Sequence, residues 1–293
     1  IVIDDHSTDN TWDVLNEFAA KEERIRVFQN EGKGIIEALR FAYTKSEGQY
    51  LSRMDSDDIM TPTKLADLKS ALAEVGEGYL SVGLVDYFSA ATLGNGYLRY
   101  QDWLNQLTAS STNFQEIYKE CVIPSPCWMI HRKDLDKCGA FVPDVYPEDY
   151  DLCFRFYKAG LKIVGVNKVL HQWRDYPTRT SRTDEHYADN SFLALKVHYF
   201  VELEYDKTKE LCVWGAGKKG KSIVQKLIKQ NIPFHWVCNN ENKIGKDIYG
   251  VIMEGEEVLS NLQNTQIIIA VAADGAQEGM NTVLQEKECY YFC

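Results

Sequence analysis

The chain has 293 residues, of which 45% are hydrophobic and 26% are charged. These proportions are typical of a soluble globular protein, and the length predicts two domains because a single core rarely grows beyond about 250–300 residues. The formal net charge of −11 at pH 7 argues against nucleic acid or an anionic membrane surface as the main partner. A phosphate-bearing substrate is still allowed, because a metal ion or nearby basic residues can reverse the local field.

The cysteines and the apolar runs bear on where the protein works. Eight cysteines are scattered without a C-x-x-C pair or a His/Cys cluster at zinc spacing, which predicts a reduced, cytoplasmic chain. No apolar run approaches the 18 or so residues of a membrane span, and no signal peptide is visible. Peripheral contact with the inner face of a membrane is left open. Because the chain opens without Met inside a predicted strand, residues 1–3, we expect a fragment that lacks its natural N-terminus.

The first part of the chain alternates short apolar strands with amphipathic helices. Residues 1–3 are predicted to form a buried strand, and the polar run 4–10 after them can cap a helix. Residues 25–28 form a second predicted strand, and the flexible basic loop 30–34 opens another helix. Such alternation with short connections predicts a parallel sheet with helices on both faces.

An acidic segment, residues 53–58, follows the next predicted strand and holds three carboxylates in four residues. Like charges this close repel, and a divalent cation removes that cost. Mg²⁺ and Mn²⁺ take oxygen ligands, usually one or two carboxylates together with substrate phosphates. The alternative is an Asp-rich solvated turn before the helix that starts at Thr61-Pro62. Ligands of open α/β sheets sit outside the carboxyl ends of strands, so the Asp4-Asp5 pair is expected to meet Asp55 and Asp57 at one crevice.

The remaining elements complete two predicted domains. Strands are expected at 80–88, 128–130, 163–166 and 170–173, and helices at 132–138, from Pro147 onward and at 188–201. Residues 202–210 are charged and interrupt the pattern. We therefore predict one domain over residues 1–205 and a smaller α/β domain over 206–293.

The second predicted domain begins with a strand and a glycine loop, Gly215-x-Gly217-x-x-Gly220, that opens a helix. This is the dinucleotide-binding pattern in its expected context. The acidic residue expected at the end of the next strand is replaced by Asn239, which argues against NAD(P). Glu241 lies two residues later, so NAD(P) binding is disfavoured but left open. The domain resembles the small Rossmann-like units found beside sugar-modifying enzymes, which implies that the loop binds a nucleotide or nothing.

Three motifs in order resemble those of the family 2 glycosyltransferases, which have the GT-A fold. They are the Asp4–Thr11 run, the Met54–Asp58 cluster and the Pro147–Leu152 helix start. The similarity covers roughly residues 1–205, and the 173–184 stretch resembles a segment of some bacterial members. The resemblance implies an α/β GT-A nucleotide-diphospho-sugar transferase fold, followed by a Rossmann-like domain. Members usually begin with one further strand, which is absent here.

The resemblance also implies an activity. A sugar would pass from a nucleotide-diphosphate donor, with UDP-sugars favoured, to a hydroxyl of a glycan or lipid-linked acceptor in surface-polysaccharide assembly. It implies dependence on Mn²⁺ or Mg²⁺ and direct displacement with inversion. Two alternatives stay open: an NAD(P)-dependent oxidoreductase that uses the glycine loop, and a nucleotide-sugar-binding protein without catalysis.

Site residues follow from the same resemblance. Asp149 is the expected general base, and Glu148 raises its proton affinity through like-charge repulsion. Asp57 is the first choice of metal ligand, while Asp55 would contact ribose and metal. Asp4 or Asp5 would accept a hydrogen bond from the nucleotide base, and Lys33 would contact a phosphate or lie in solvent. Asp58 is expected to cap a turn, Asp151 to be structural, and His171 to be a late metal ligand or a packed residue. Contacts with the diphosphate or the acceptor are expected from Arg174, Arg179 and Arg182.

Overall fold

The computed structural model describes the whole chain except residues 91–92, 184–186, 188–191, 272–283 and 285–286. The predicted α/β class is confirmed. The helices in the described residues are α1 (Thr11–Lys21), α2 (Ile35–Lys45), α3 (Lys64–Val75), α4 (Asn95–Ser110), α5 (Arg132–Lys137), α6 (Glu148–Lys158), α7 (Thr180–Thr183), α8 (Leu193–Leu203), α9 (Lys218–Lys229) and α10 (Val258–Asn261). The strands there are β1 (Val2–Asp4), β2 (Val27–Gln29), β3 (Tyr50–Leu51), β4 (Ile59–Met60), β5 (Tyr79–Phe88), β6 (Trp128–His131), β7 (Lys162–Arg174), β8 (Glu210–Trp214), β9 (His235–Val237), β10 (Asp247–Ile248), β11 (Val251–Glu254), β12 (Thr265–Ile269) and β13 (Glu288–Tyr291).

The chain packs into two compact units that differ from simple sequence halves. One unit contains residues 1–113 and 123–179, and the other contains residues 114–122 and 180–293. Packing thus places α8 with the C-terminal residues, whereas the sequence placed this helix before the boundary. The division at residues 205/206 stays a prediction. The first residues of the helix predicted at 188–201 lie outside the described part of the chain.

The first unit contains a small sheet and a larger one. Strands β1 and β2 pair in parallel, and five strands form a second sheet in the order β3-β6-β5-β7-β4. The expectation of a parallel sheet is wrong for these five strands, since only β5 and β7 run parallel and the other three pairs are antiparallel. Strand and helix alternation predicts the class but does not specify which strands become neighbours.

The mixed sheet positions the acidic segment. Strands β3 and β4 lie at its opposite edges, so the connection between them, residues 52–58, runs along one end of the sheet. Ser52 begins this connection and donates to the carbonyl of Trp128 at 2.6 Å. At the other edge, β4 pairs with the last part of β7, where Ile59 lies opposite Gln172. The acidic segment therefore lies at the end where β3 and β7 finish, as expected for a ligand-binding segment.

The helices of the first unit cover the mixed sheet. Leu68 and Leu72 of α3 and Leu104 of α4 are fully buried in one cluster with residues of β5, β6 and β7. Helix α6 packs its Phe156 ring edge-on against Trp128 of β6, with ring centroids 5.8 Å apart. Burial of these large apolar side chains fixes the start of α6, and with it Glu148 and Asp149.

The second unit holds a six-stranded sheet in the order β10-β11-β9-β8-β12-β13. All its neighbouring strands are parallel except β10 and β11. Helix α9 leads from β8 to β9 on one side, and β12 then pairs with β8 on the other side. This is the Rossmann-like arrangement expected from the sequence, with the glycine loop at the point where strand order reverses. In the described residues, no helix combines the length and apolarity needed to cross a membrane.

Candidate active site

Arg53 is the centre of a carboxylate cluster, defined as Asp55, Glu148 and Asp149 around this guanidinium. Its Nη2 donates to Asp55 at 3.0 Å and its Nη1 to Glu148 at 3.1 Å. Only 7% of the Arg53 side chain is exposed. Burial lowers the pKa of Arg53, but Asp55, Glu148 and Asp149 outweigh it and raise the pKa overall. Two motifs that are 95 residues apart thus share one cation.

Asp149 lies in the first turn of α6 beside Glu148. Its Oδ1 accepts from the backbone N–H of Tyr150 at 2.8 Å. Burial and the neighbouring Glu148 raise the pKa of Asp149 from 3.8 to about 7, although Arg53 acts in the opposite direction. A carboxylate with such a pKa can accept a proton near neutral pH. Further along α6, Asp151 binds Nε of Arg155 at 2.7 Å, in agreement with the structural role expected for it.

Asp57 is held by the end of β7 and the residues after it. The Tyr176 hydroxyl donates to Asp57 Oδ2 at 3.0 Å, and Arg174 Nε donates to the Asp57 carbonyl at 2.6 Å. The Arg174 guanidinium also lies 4.5 Å from the centre of the Phe88 ring. These contacts fix the backbone and one carboxylate oxygen of Asp57.

Asp58 contacts β7, which corrects the expectation that it caps the following turn. Its Oδ1 accepts from the backbone N–H of Arg174 at 2.8 Å, and its Oδ2 lies 2.9 Å from His171 Nε2. The side chains of Asp58 and His171 are both fully enclosed. On the other side of the ring, His171 Nδ1 lies 3.1 Å from Lys64 Nζ.

Lys64, the first residue of α3, is the third member of this buried hydrogen-bonded triad. It is 1% exposed, and its ammonium also donates to the carbonyl of Pro126. Burial lowers the pKa of Lys64. Both ring nitrogens of His171 are thus engaged, so coordination of a metal would require one of these contacts to break. A metal-binding role for His171 stays a prediction.

Asp4 and Asp5 lie at the carboxyl end of β1. Asp4 is 3% exposed and accepts from the backbone N–H of Ser7 at 3.3 and 3.4 Å. Asp5 is exposed and accepts from the Asn30 amide at 2.7 Å and from the Gly34 N–H at 2.9 Å. Asp4 therefore stabilises the turn after its own strand, while Asp5 anchors the loop that opens α2.

The Gly34 loop lies near the start of α6. Gly34 has a φ of +87°, and a Cβ at this position would lie 3.7 Å from the Tyr146 hydroxyl. Arg40 of α2 donates through Nε to the carbonyl of Phe141 at 3.0 Å. The loop bound by Asp5 thus borders the segment that leads into Glu148. Contact of Asp4 or Asp5 with a nucleotide base stays a prediction.

The carboxylate cluster fits a hard divalent ion together with a diphosphate. In the described residues, no group of three or more His, Cys, Asp and Glu side chains is arranged to hold a metal by itself. Mg²⁺ commonly needs only one or two protein carboxylates, because substrate phosphates and water supply the other ligands. Asp55 and Asp57 offer such oxygens. Arg53 Nε is also buried without a hydrogen-bond partner, as expected of a site that is completed by a further group.

The remaining basic candidates occupy different places. Lys33 is exposed in the loop before α2. Arg179 lies over the Trp173 ring, 5.2 Å from its centre, so it belongs to the same end of β7 as Arg174. Arg182 is exposed on α7 of the second unit. Phosphate or acceptor contacts of these three residues stay predictions.

The glycine loop is explained in large part by packing. A Cβ at Gly220 would lie 2.0 Å from the Gly215 carbonyl oxygen, and one at Gly215 would lie 2.8 Å from that of Ala270. Gly215 also has a φ of +140°. By contrast, a Cβ at Gly217 would meet nothing within 4 Å, and Lys243 Nζ binds the Ala216 carbonyl at 2.9 Å. Two of the three glycines are thus required by the fold itself.

Sequence reasoning missed several residues that organise the site. Arg53 carried a visible signal, since it is the one basic residue within the acidic segment. Asn30, Tyr176 and Lys64 carried none, because each meets its partner only through the tertiary fold.

Comparison with known proteins identifies the N-terminal part of the chain. Residues 1–139 match the model of the glycosyl transferase family 2. The probable glycosyltransferase YdaM of Bacillus subtilis is 29% identical over 170 residues, which cover 56% of this chain and 40% of that protein. The putative teichuronic acid biosynthesis glycosyltransferase TuaG of Bacillus subtilis is 24% identical, with 78% of this chain and 85% of that protein covered.

A third relative has a more specific name. The UDP-Glc:alpha-D-GlcNAc-diphosphoundecaprenol beta-1,3-glucosyltransferase WfaP of Escherichia coli is 26% identical over 177 residues, which cover 59% of this chain and 64% of that protein. The chain thus spans less than two thirds of the length of YdaM and of WfaP. The three motifs, the α/β architecture and the family match agree, and residues 1–139 of this chain match glycosyl transferase family 2.

Proposed function

We propose that the protein transfers a sugar from a nucleotide-diphosphate donor to an acceptor hydroxyl, with inversion at the anomeric carbon. The observation that carries this proposal is the meeting of Asp55, Glu148 and Asp149 around the buried Arg53 at one end of the mixed sheet. A buried cluster with more carboxylates than cations is costly for stability, which favours a functional origin.

Asp55 and Asp57 would hold Mn²⁺ or Mg²⁺ through carboxylate oxygens. When bound, such an ion stabilises the negative charge that develops on the departing diphosphate. The Tyr176 hydroxyl and Arg174 fix Asp57 from the β7 side, so its carboxylate is oriented before the donor binds. Arg53 holds Asp55 in the same way and offsets part of the local negative charge.

Asp149 would act as the general base. Its Oδ1 is engaged by the Tyr150 N–H, so Oδ2 is the oxygen that accepts the proton of the acceptor hydroxyl. The hydroxyl oxygen then bonds to the anomeric carbon as the bond from that carbon to the diphosphate breaks. The raised pKa of Asp149 suits this proton transfer, and direct displacement requires no covalent intermediate on the protein.

UDP-sugars are the favoured donors, and a polysaccharide or lipid-linked glycan is the favoured acceptor. Two relatives support this choice: WfaP is named for UDP-Glc and a diphosphoundecaprenol-linked sugar, and TuaG for teichuronic acid biosynthesis. Asp4 or Asp5 would then lie near the nucleotide base, at the carboxyl end of β1.

A donor screen tests the proposal. UDP-, GDP- and dTDP-sugars are incubated with the protein and Mn²⁺ or Mg²⁺, and released nucleoside diphosphate is measured with and without EDTA. We expect release that requires metal and falls by roughly 100- to 1,000-fold in Asp57→Ala. Asp144→Ala, which removes an exposed carboxylate upstream of α6, is the matched control and should retain activity. Release that persists in Asp57→Ala and in EDTA would contradict the proposal.

A further inference from the structure

Asp58, His171 and Lys64 form a buried hydrogen-bonded triad next to the acidic segment. The triad joins that segment to β7 and α3. Asp58 adjoins the proposed metal ligand Asp57, His171 lies on β7, and Lys64 begins α3. The side chains of Asp58 and His171 are fully enclosed, and Lys64 is 1% exposed. None of the three residues therefore presents a side chain to a ligand, although together they place two charges inside the protein.

The donor and the acceptor of each hydrogen bond in this triad can be assigned. A lysine ammonium has hydrogen-bond donors and no acceptor, so Lys64 Nζ donates to His171 Nδ1. His171 Nδ1 then carries no hydrogen, and Nε2–H donates to Asp58 Oδ2. The second oxygen of Asp58 accepts from the backbone N–H of Arg174. Every contact has one donor and one acceptor, and the pattern runs in one direction from α3 to the acidic segment.

The surroundings of β4 show why this segment needs such support. Ile59 and Met60 are 45% and 42% exposed, so burial of apolar side chains contributes little to holding this edge strand. The acidic segment is attached to β7 through Asp58 and through the Asp57 carbonyl bound to Arg174, and to the residues after β7 through Tyr176. Asp58 is the one fully enclosed side chain among these attachments.

We propose that Asp58, His171 and Lys64 act as a positioning unit that holds Asp57 in the orientation required for the metal–diphosphate complex. The inference rests on the proposed function. These residues act through Asp57 and do not touch the substrate. Their loss should therefore weaken the binding of metal and diphosphate more than it weakens the fold.

The one-way pattern of donors permits a sharp test by double substitution. In Asp58→Asn, the amide can donate to His171 Nε2 only if the ring proton moves to Nδ1, where it would face the Lys64 ammonium. Removal of the ammonium by Lys64→Met relieves that conflict. The combined variant Asp58→Asn/Lys64→Met should therefore recover what Asp58→Asn loses. A contribution to stability alone would lower the free energy of unfolding and leave the Mn²⁺ affinity of the folded protein unchanged in every variant.

The experiment measures Mn²⁺ binding in the presence of UDP, by titration calorimetry and by electron paramagnetic resonance of free Mn²⁺, on the full chain. We expect Asp58→Asn to weaken Mn²⁺ affinity by at least tenfold and the double variant to return to within about threefold of the original protein. Asp67→Asn is the matched control, since Asp67 also links α3 to β7 through Lys168 at 3.1 Å but lies away from the acidic segment. The control should bind Mn²⁺ with unchanged affinity.

Each outcome is decisive. Additive losses in the double variant, or Asp58→Asn with unchanged affinity, would overturn the positioning role while leaving the proposed function intact. If the original protein binds no Mn²⁺ with UDP, the proposed function and this inference fail together. Should Asp58→Asn not fold, the double variant, which removes both buried charges, still decides: wild-type affinity supports the positioning unit, and a tenfold loss contradicts it.

Discussion

The carboxylate cluster and the glycine loop both lie where strands end and helices begin, yet they differ in what their own fold requires. In the glycine loop, Gly215 and Gly220 avoid clashes with backbone carbonyls, so packing alone explains them. In the carboxylate cluster, Asp55, Glu148 and Asp149 crowd around Arg53 without such a steric reason. A motif that the packing of the fold requires gives little evidence of a ligand. Buried charges that lower stability without a packing reason give more, because such groups concentrate at functional sites.

The largest effect is expected from Asp149→Asn, which tests the functional side of this comparison. The amide keeps the shape of the side chain but cannot take a proton from the acceptor hydroxyl. We expect kcat to fall by roughly 100- to 10,000-fold, while the Kd for the UDP–Mn²⁺ complex changes little. Transfer assays and calorimetry measure the two quantities. A variant that keeps near-normal kcat would remove Asp149 from the mechanism.

Arg53→Met should mainly destabilise the protein, because Asp55 and Glu148 lose their shared partner inside the fold. Removal of one partner of a buried ion pair typically costs about 3–5 kcal/mol of unfolding free energy. Urea denaturation measures this loss. Arg24→Met breaks an exposed ion pair with Glu22 and should leave the midpoint unchanged. Equal stability of both variants would contradict a large free-energy cost of burying the carboxylate cluster without Arg53.

The pH dependence should show the raised pKa of Asp149 in two ways. As a base it must be ionised, so kcat/KM should fall as the pH drops below about 7. The pKa of Asp149 is higher in the folded protein than its unfolded value of 3.8. The protonated carboxyl group therefore makes its full contribution to the free energy of unfolding below pH 3.8, and this contribution is lost as the pH rises through about 7.

Asp149→Asn lacks this loss of stability. At pH 8 the variant should exceed the original protein in unfolding free energy by about 1–4 kcal/mol, and the difference should shrink toward pH 4. Denaturation curves at several pH values test this expectation. A constant difference at all pH values would contradict a raised pKa for this carboxyl group.

The smallest effect on transfer is expected in the glycine loop. Gly217→Val places a side chain in open space and should leave sugar transfer unchanged. Gly220→Ala forces a Cβ against the Gly215 carbonyl and should lower stability by about 1–3 kcal/mol. Transfer assays and thermal unfolding separate these outcomes. Tight NAD(P) binding that Gly217→Val abolishes would instead favour an oxidoreductase and give the glycine loop a functional role.

The sequence predicted the α/β class and the family, and it placed the acidic segment and α6 correctly. These features depend on local patterns: a strand followed by acidic residues, or Pro147 before a helix. The spacing of Glu148 and Asp149 at a helix start was visible without any tertiary knowledge.

The rest depended on contacts between distant residues. Asp58 and His171 are 113 residues apart, and no local pattern links them. Strand β4 has only two residues, too few to show a strand pattern, so its antiparallel pairing with β7 could not be foreseen. The two predicted strands at 163–166 and 170–173 form one strand, β7, with register shifts along its pairing with β5.

The segment 114–122 has a practical consequence for dividing this chain. It lies in the second compact unit, where the Tyr118 ring stacks on Phe292 with centroids 5.3 Å apart and meets the edge of Tyr290 at 5.7 Å. A shortened gene product that stops at residue 205 would keep Tyr118 and its contact with Phe200 but lose Phe292 and Tyr290. Expression of residues 1–205 alone should therefore yield an aggregation-prone polypeptide, since the exposed face of the Tyr118 ring would lie in water.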